Sequence, residues 1–254
     1  MPWHHRPDGC RLYYEIHGAG EPLVLLEGLG GDIPGWRRNM PTLSAELLVV
    51  AYDFRGNGRS DKPDRPMTIQ TFVDDTIGLI DHLELDAAHF YGQSFGGMVA
   101  QEVALSHPNR VRSLVLACTH AGLRTAIRVT AKVPKDRPWL ALYSPAFAAE
   151  NPEHLADDLR VGRQNPQPPH AARRQREAMQ GFDAYDRLQE IRAPTLVLHG
   201  AEDRVIHPDN AGILADRIPN ARLRLIEGAG HVYHSEEPET ADRTVLDFIR
   251  GLNE

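Results

Sequence analysis

The sequence contains little cysteine, and this scarcity limits the kinds of site it can hold. Only Cys10 and Cys118 occur among 254 residues, far apart and outside any close grouping of cysteine and histidine. Disulfide scaffolds and zinc sites need cysteines in larger numbers or at short spacing. We therefore expect two reduced thiols in a cytoplasmic protein, with neither a metal site nor a redox pair.

Long apolar runs and an excess of positive charge are also lacking. No run approaches the roughly 18 apolar residues of a membrane-spanning helix, and the first residues lack the apolar region of a secretory leader. The net charge of -7 would on average repel a phosphate backbone. The sequence thus predicts a monomer or homodimer that binds a small molecule and has neither nucleic acid nor membrane as a partner.

Short apolar runs alternate with helical periodicity along most of the chain. This alternation is typical of a mostly parallel sheet covered by helices, so the predicted fold class is α/β. The length suits one large domain. The candidate strands are Leu12–His17, Leu23–Gly28, Leu47–Asp53, Ala88–Gln93, Val111–Thr119, Thr195–Gly200 and Leu223–Glu227, and the candidate helices are Ile69–Leu83, Phe95–Ser106 and one that opens at Pro238.

One region breaks this alternation. Residues 121–192 contain no convincing strand pattern and are rich in proline: Pro134, Pro138, Pro145, Pro152, Pro166, Pro168 and Pro169. We interpret the region as a helical insertion that lies over the sheet. Residues 1–120 and 193–254 would then form the core domain.

One short motif has the spacing and context of a nucleophile turn. Gly92-Gln93-Ser94-Phe95-Gly96 follows an apolar strand and precedes a helical pattern. A serine on a strained strand-to-helix turn needs neighbours without side chains two positions before and after it. An ordinary glycine-rich turn is the plainer alternative, but the flanking strand and helix favour a nucleophilic Ser94.

A nucleophilic serine requires a histidine base and a carboxylate that orients the base. In this strand-turn-helix setting the acid and then the base follow Ser94 along the chain. Asp203 and His231 each follow a predicted strand, at the carboxyl ends where parallel sheets place functional loops. We choose Asp203 as the acid and His231 as the base, with Glu202 and His234 as alternatives.

Five motifs in this order make the chain resemble the α/β-hydrolase family over nearly all of its length. They are Glu27-Gly28-Leu29-Gly30-Gly31, the run from Asp53 to Pro63, Gly92-Gln93-Ser94-Phe95-Gly96-Gly97, Gly200-Ala201-Glu202-Asp203 and Gly230-His231. The resemblance implies a mostly parallel eight-stranded sheet flanked by helices, with residues 121–192 as a helical cap. It also implies that the backbone N–H groups of Leu29 and Phe95 form the oxyanion hole. Within the family, 3-oxoadipate enol-lactonases and small carboxylesterases are the most similar.

One residue departs from the family pattern. Glu27 stands where the family usually has histidine, beside the expected oxyanion hole. An ionised carboxylate about 6 Å from a developing oxyanion would oppose it by about 3 kcal/mol at an effective dielectric of about 20. We therefore hypothesise that Glu27 turns away from the pocket and is neutralised by Arg55 or Arg59.

The remaining histidines and the aromatic residues bear on the pocket. His89 and His199 lie within predicted strands and are interpreted as core residues, whereas His120 could line the pocket. The pocket candidates are Trp36, Trp139, Tyr143 and Phe147. For each of these alone, packing between cap and core is the competing interpretation.

Together these residues predict a serine hydrolase that cleaves a small carboxylic ester or lactone through an acyl-enzyme on Ser94. This chemistry requires no cofactor, and the glycine motifs of dinucleotide and phosphate-loop proteins are incomplete or missing. A carbon-carbon bond hydrolase or a hydroxynitrile lyase with the same triad is the alternative, because a fold does not fix its chemistry. A non-catalytic ligand receptor that retains the pocket is the third possibility.

Overall fold

A computed structural model describes residues 2–130 and 132–252, and its strands form a single sheet. The strands are β1 (Trp3–His5), β2 (Arg11–His17), β3 (Pro22–Leu26), β4 (Leu48–Tyr52), β5 (Ala88–Gln93), β6 (Val111–Ala117), β7 (Thr195–Gly200) and β8 (Ala221–Ile226). Their order in the sheet is β1-β2-β4-β3-β5-β6-β7-β8. Only the pairs β1–β2 and β2–β4 are antiparallel. The predicted eight-stranded, mostly parallel sheet is confirmed.

Helices connect the parallel strands and cover both faces of the sheet. They are α1 (Met40–Ser44), α2 (Ile69–His82), α3 (Phe95–Ser106), α4 (Pro145–Glu150), α5 (Pro152–Gly162), α6 (Pro169–Gln180), α7 (Asp209–Arg217), α8 (Tyr233–Glu236) and α9 (Pro238–Arg250). None of these described helices is long and apolar enough to cross a membrane. The α/β class expected from the alternating pattern is therefore what the chain adopts.

Two apolar cores lie on opposite faces of the sheet. On one face Phe54, Phe72 and Phe95 pack edge to face, with ring centroids 5.0–5.7 Å apart, beneath α2 and α3. On the other face the hydroxyls of Tyr91 and Tyr233 lie 2.8 Å apart beneath α1 and α9. β5 is buried along its whole length between these cores. Its carboxyl end is consequently a rigid place from which to project a reactive residue.

The predicted elements agree best with the structure where the sequence pattern is strongest. The bounds of α3 and β7 match the prediction, and α2 ends one residue before the predicted Leu83. β1 was not predicted because it has only three residues, of which two are histidine. β8 begins two residues earlier than expected, since this edge strand is largely exposed and carries arginine among its apolar residues.

Residues 121–192 contain α4, α5, α6 and short 3-10 turns, and no strand among those described. Side chains attach these helices to the rest of the chain. The Arg37 guanidinium donates to Asp157 of α5 at 2.7 Å, and Gln175 of α6 donates to Asn57 at 2.9 Å. The segment is helical, as expected. That it forms a separate cap stays a prediction.

Candidate active site

Ser94 lies on a sharp turn between β5 and α3. Its φ of 53° and ψ of -110° place a residue with a side chain in a strained region of backbone space. A Cβ on Gly92 would lie 2.4 Å from the carbonyl oxygen of Gly96, and one on Gly96 would lie 2.0 Å from that of Leu26. Both positions therefore need glycine, which is the reason the sequence motif has this spacing.

We expect Gly96→Ala to destabilise the protein by roughly 3 kcal/mol or more, because the backbone of Leu26 and Glu27 must move to admit the methyl group. Gly212→Ala in α7 is the matched control, since a Cβ there meets nothing within 4 Å. Alanine also favours a helix over glycine by about 1 kcal/mol. Urea unfolding of both variants measures the difference, and equal midpoints would contradict the tight turn.

Asp203 and His231 meet at the carboxyl end of the sheet. His231 Nδ1 lies 2.8 Å from Asp203 Oδ2, and the Asp203 side chain is fully buried. Asp203 Oδ1 accepts from the backbone N–H groups of Val205 and Ile206 at 2.7 and 2.9 Å. Burial alone would raise the pKa of Asp203, but the charges and hydrogen bonds of His231 and of the neighbouring His199 hold it well below its usual range. The carboxylate is thus ionised and fixes the ring of His231.

His199 also contacts this carboxylate, a contact that sequence reasoning missed. Its Nε2 lies 3.0 Å from Asp203 Oδ2 and 3.1 Å from the carbonyl oxygen of Ile206. Both neighbours are acceptors, so Nε2 carries the proton, while Nδ1 is buried without a partner. The interpretation of His199 as a core residue describes its burial but not its role. The available signal was its position in β7, four residues before Asp203.

Ser94 and His231 open onto one cavity of about 630 Å³. Its polar wall includes Glu27, Asp32, Arg37, Asn165 and His234, and its apolar wall includes Leu29, Met98, Leu123, Val161, Met179 and Val205. The structure therefore brings the three residues chosen from the sequence to one place. Glu202 is exposed, and the alternative base His234 is a separate part of the cavity wall.

The turn after β3 carries Leu29, one of the two expected oxyanion-hole residues. The amides of its neighbours are used within the protein: Gly28 N–H donates to Glu27 Oε1 at 2.9 Å, and Gly30 N–H to Gln175 Oε1 at 3.3 Å. The other expected donor, Phe95, opens α3, where an amide has no acceptor in its own helix. Among the described residues, neither the N–H of Leu29 nor that of Phe95 has an acceptor, and their role as an oxyanion hole stays a prediction.

The hypothesis that an arginine neutralises Glu27 is wrong. Arg55 is bound by Asp75 at 2.5–2.6 Å and by Asp8 at 2.9 Å, and Arg59 contacts Tyr13 and Glu15. Glu27 instead lies in the cavity wall, 9% exposed, with Oε2 free of any hydrogen bond. Burial raises the pKa of Glu27 to about 7. Its negative charge is suppressed by desolvation rather than by an ion pair.

The four aromatic pocket candidates are absent from the described lining of the cavity. Trp36 is packed in the core, 4.8 Å from the ring centroids of both Tyr91 and His234. Tyr143 donates to Asp158 at 2.8 Å, and Phe147 stacks on Tyr143. Trp139 is half-buried in a 3-10 turn. Their apolar surface is thus used in packing, and the apolar residues that line the cavity instead are aliphatic.

His120 does line the cavity, as considered from the sequence. Its Nδ1 accepts from the Gly122 N–H at 3.0 Å, and burial lowers its pKa to about 4. Burial likewise lowers the pKa of His234 to about 4. Both imidazoles are therefore neutral near pH 7 and contribute polar surface without charge.

Cys118, His199 and Asp203 place possible metal-binding atoms within 4.8 Å of one another. Metal ions bind the thiolate, but burial raises the pKa of the Cys118 thiol well above its usual range. The oxygens of Asp203 are already engaged by imidazoles and backbone amides. The protonated thiol and the engaged carboxylate therefore make this group a poor site for a metal ion.

The fold and this arrangement define a class, the α/β hydrolases. A model of the alpha/beta hydrolase family matches residues 16–243, and the chain belongs to that family. It is 31% identical to a protein of Azorhizobium caulinodans whose name marks it as a candidate carbamate hydrolase, RutD, with 100% of both chains covered. The chain is thus a hydrolase of the α/β family.

Solved structures give the same result. A hydrolase from Pseudomonas aeruginosa is similar with a TM-score of 0.86 and 31% identity, covering 97% of each chain. The enol-lactonase from Burkholderia xenovorans has a TM-score of 0.86 and 26% identity, covering 98% of this chain and 100% of that one. The likeness therefore extends over the helical segment as well as the sheet.

Proposed function

We propose that the protein hydrolyses a small carboxylic ester or lactone through an acyl-enzyme on Ser94. The observation that carries the proposal is the contact of 2.8 Å between His231 and Asp203, beside the same cavity into which Ser94 projects from its strained turn. A serine, an oriented imidazole and a buried carboxylate are the parts that acyl transfer requires. The similarity to an enol-lactonase supports this substrate class.

In this mechanism Ser94 Oγ attacks the carbonyl carbon while His231 Nε2 takes the hydroxyl proton. Asp203 holds the proton on His231 Nδ1, so that Nε2 is the free base. The N–H groups of Leu29 and Phe95 stabilise the negative charge that develops on the carbonyl oxygen. His231 then gives its proton to the leaving alcohol, and water activated by the same imidazole releases the acid.

The cavity supports a substrate of modest size. Its volume of about 630 Å³ lies in the range of small-molecule sites, and its apolar wall is aliphatic. We propose that residues 121–192 act as a cap, because Val161 and Met179 of α5 and α6 contribute to that wall. A cytoplasmic location remains part of the proposal.

A carbamate ester is the second candidate substrate, favoured by the name of the relative from Azorhizobium caulinodans. The same attack on a carbamate would give a carbamoylated serine. Nitrogen donates electrons into that carbonyl, so water releases the carbamoyl group more slowly than an ordinary acyl group. An enzyme adapted to carbamates must overcome this slow second step.

We expect the purified protein to turn over p-nitrophenyl butyrate or a simple aliphatic lactone, with release of the acid. The p-nitrophenyl ester of N-methylcarbamic acid is measured in parallel. For an esterase it gives one equivalent of nitrophenol and then slow release, whereas for a carbamate hydrolase turnover continues. No turnover of esters, lactones or carbamates at any pH from 6 to 9 would refute the proposed activity.

A further inference from the structure

Two carboxyl groups in the cavity wall have no cation bonded to them in the described part of the chain. Among those residues, Glu27 has only the N–H of Gly28 as a hydrogen-bond donor, at 2.9 Å. Asp32 accepts from the Asn165 side-chain amide at 3.0 Å and forms no salt bridge with the described residues. Both side chains are more than nine-tenths buried. Two acidic groups are thus held in the wall of the cavity without a direct ion pair, and the charges of Arg59 and Lys62 act on Asp32 only at longer range.

The cationic groups of the same wall are already compensated. Arg37 donates to Asp157 at 2.7 Å and also to Asp158. His120 and His234 are neutral near pH 7, because burial lowers the pKa of each to about 4. His231 faces the ionised Asp203. Within the part of the cavity wall that is described, the charge without a direct ion pair is therefore negative.

The structure around Glu27 accommodates this side chain specifically. A Cβ on Gly31 would lie 2.4 Å from Glu27 Cγ, and one on Gly35 would lie 2.8 Å from Glu27 Oε2. Both glycines also line the cavity. Glu27 Oε2 is nevertheless buried without a hydrogen-bond partner, which is unfavourable for an acceptor and more so for a charge. A cation placed by a ligand in the cavity beside it would stabilise the ionised carboxylate by Coulomb attraction.

We propose that this cavity selects substrates carrying a positively charged ammonium group, namely amino-substituted esters or lactones whose cation lies beside Glu27 and Asp32. The inference rests on the proposed function and specifies its substrate class. Carboxylate-bearing substrates are disfavoured by the same charges. Coulomb attraction over about 6 Å at an effective dielectric of about 20 corresponds to roughly a hundredfold in affinity per ionised carboxyl. The cost of removing the cation from water subtracts from this gain.

The ionisation of Glu27 gives the preference a dependence on pH. Burial raises its pKa to about 7, and the neighbouring charges are those of Asp32, Asp53 and His231. A carboxyl is neutral below its pKa and charged above it. The preference for ammonium substrates should therefore increase as pH rises from 6 to 8. A quaternary ammonium probe keeps its own charge constant over this range.

Isosteric pairs of esters test the charge alone. In the first pair, butyrylcholine carries a trimethylammonium group on the alcohol and 3,3-dimethylbutyl butyrate carries a neutral tert-butyl group there. In the second pair, the p-nitrophenyl esters of 4-(trimethylammonio)butyrate and 5,5-dimethylhexanoate carry the same two groups on the acyl chain. We expect kcat/KM at pH 8 for the cationic ester to exceed that for the neutral ester about tenfold or more in at least one pair. Glu27→Gln and Asp32→Asn should each reduce that ratio at least threefold. Glu27→Gln should also remove its increase between pH 6 and 8.

Asp136→Asn is the control variant, because it changes the net charge equally at an exposed position, with a side chain 77% exposed. It should leave the ratio unchanged. Ratios near one in both pairs, or ratios that survive both cavity substitutions, would overturn the proposal. Thermal unfolding of each variant verifies that the fold is intact.

Binding to Ser94→Ala separates this inference from the proposed activity. Calorimetric titration of that variant with each uncleaved ester should show the same preference for the cation, and its loss in Ser94→Ala combined with Glu27→Gln. A protein that hydrolyses none of the esters but retains this binding preference would refute the hydrolase proposal alone. Turnover of neutral esters without any preference would refute the cation site alone.

Discussion

Ser94→Ala is expected to lower kcat/KM for the preferred ester by about 10⁴-fold or more. In the proposed mechanism the serine oxygen is the atom that becomes acylated, and among the described residues that line the cavity Ser94 is the only hydroxyl residue on a strained turn. Whatever rate remains would come from binding and from stabilisation of the oxyanion, acting on a water molecule. Steady-state kinetics with the best ester of the panel measures the loss.

Covalent labelling distinguishes the role of Ser94 from a structural one. A fluorophosphonate should modify the wild-type peptide that contains Ser94 and leave Ser94→Ala unlabelled. Ser106→Ala is the matched control, since Ser106 ends the same helix and its Oγ contacts the carbonyl of Glu102 at 2.6 Å. That variant should retain activity and labelling. Ser94→Ala with more than a tenth of the wild-type rate would contradict the assignment.

The strained turn that holds Ser94 could be predicted because its cause is local. Ser94, Gly92 and Gly96 are close in sequence, and the steric requirement that links them acts over one turn. Asp203 and His231 are far from Ser94 in the chain, yet each follows a parallel strand. Parallel strands end at the same edge of a sheet, so the topology brings these loops together once the order of strands is known.

The partners of Glu27 could not be predicted because they depend on competition among distant charges. Arg55 and Arg59 follow the neighbouring strand β4, and this position suggested an ion pair with Glu27. Asp75 of α2 binds Arg55 through both carboxylate oxygens, and the choice between Asp75 and Glu27 is decided only by the packing of α2. The sequence contains all of these charges but not their relative distances.

The direction of the aromatic side chains was equally inaccessible to sequence reasoning. Trp36 fills the core between Tyr91 and His234 rather than facing the cavity. An aromatic ring buries a similar area in either position, so composition does not distinguish packing from substrate contact. His199 is the opposite case: its position in a buried strand suggests packing alone, yet one ring nitrogen contacts Asp203.

Asp203→Asn is expected to lower kcat by about 10⁴-fold while the fold is preserved. Val205 N–H and Ile206 N–H both point at Oδ1, so the amide of asparagine must place its oxygen there. Its NH₂ group then faces His231 Nδ1, which must become an acceptor. The ring proton consequently moves to Nε2, where the imidazole can no longer accept a proton from Ser94.

His199→Phe separates this tautomer effect from the loss of a single hydrogen bond. The substitution removes the contact of 3.0 Å to Asp203 Oδ2 but leaves the carboxylate and its contact with His231. A hydrogen bond to a charged group contributes about 1.5–3 kcal/mol, so the loss in kcat should be at most about 100-fold. Activity of Asp203→Asn within tenfold of wild type, or equal losses in both variants, would show that Asp203 does not set the tautomer of His231.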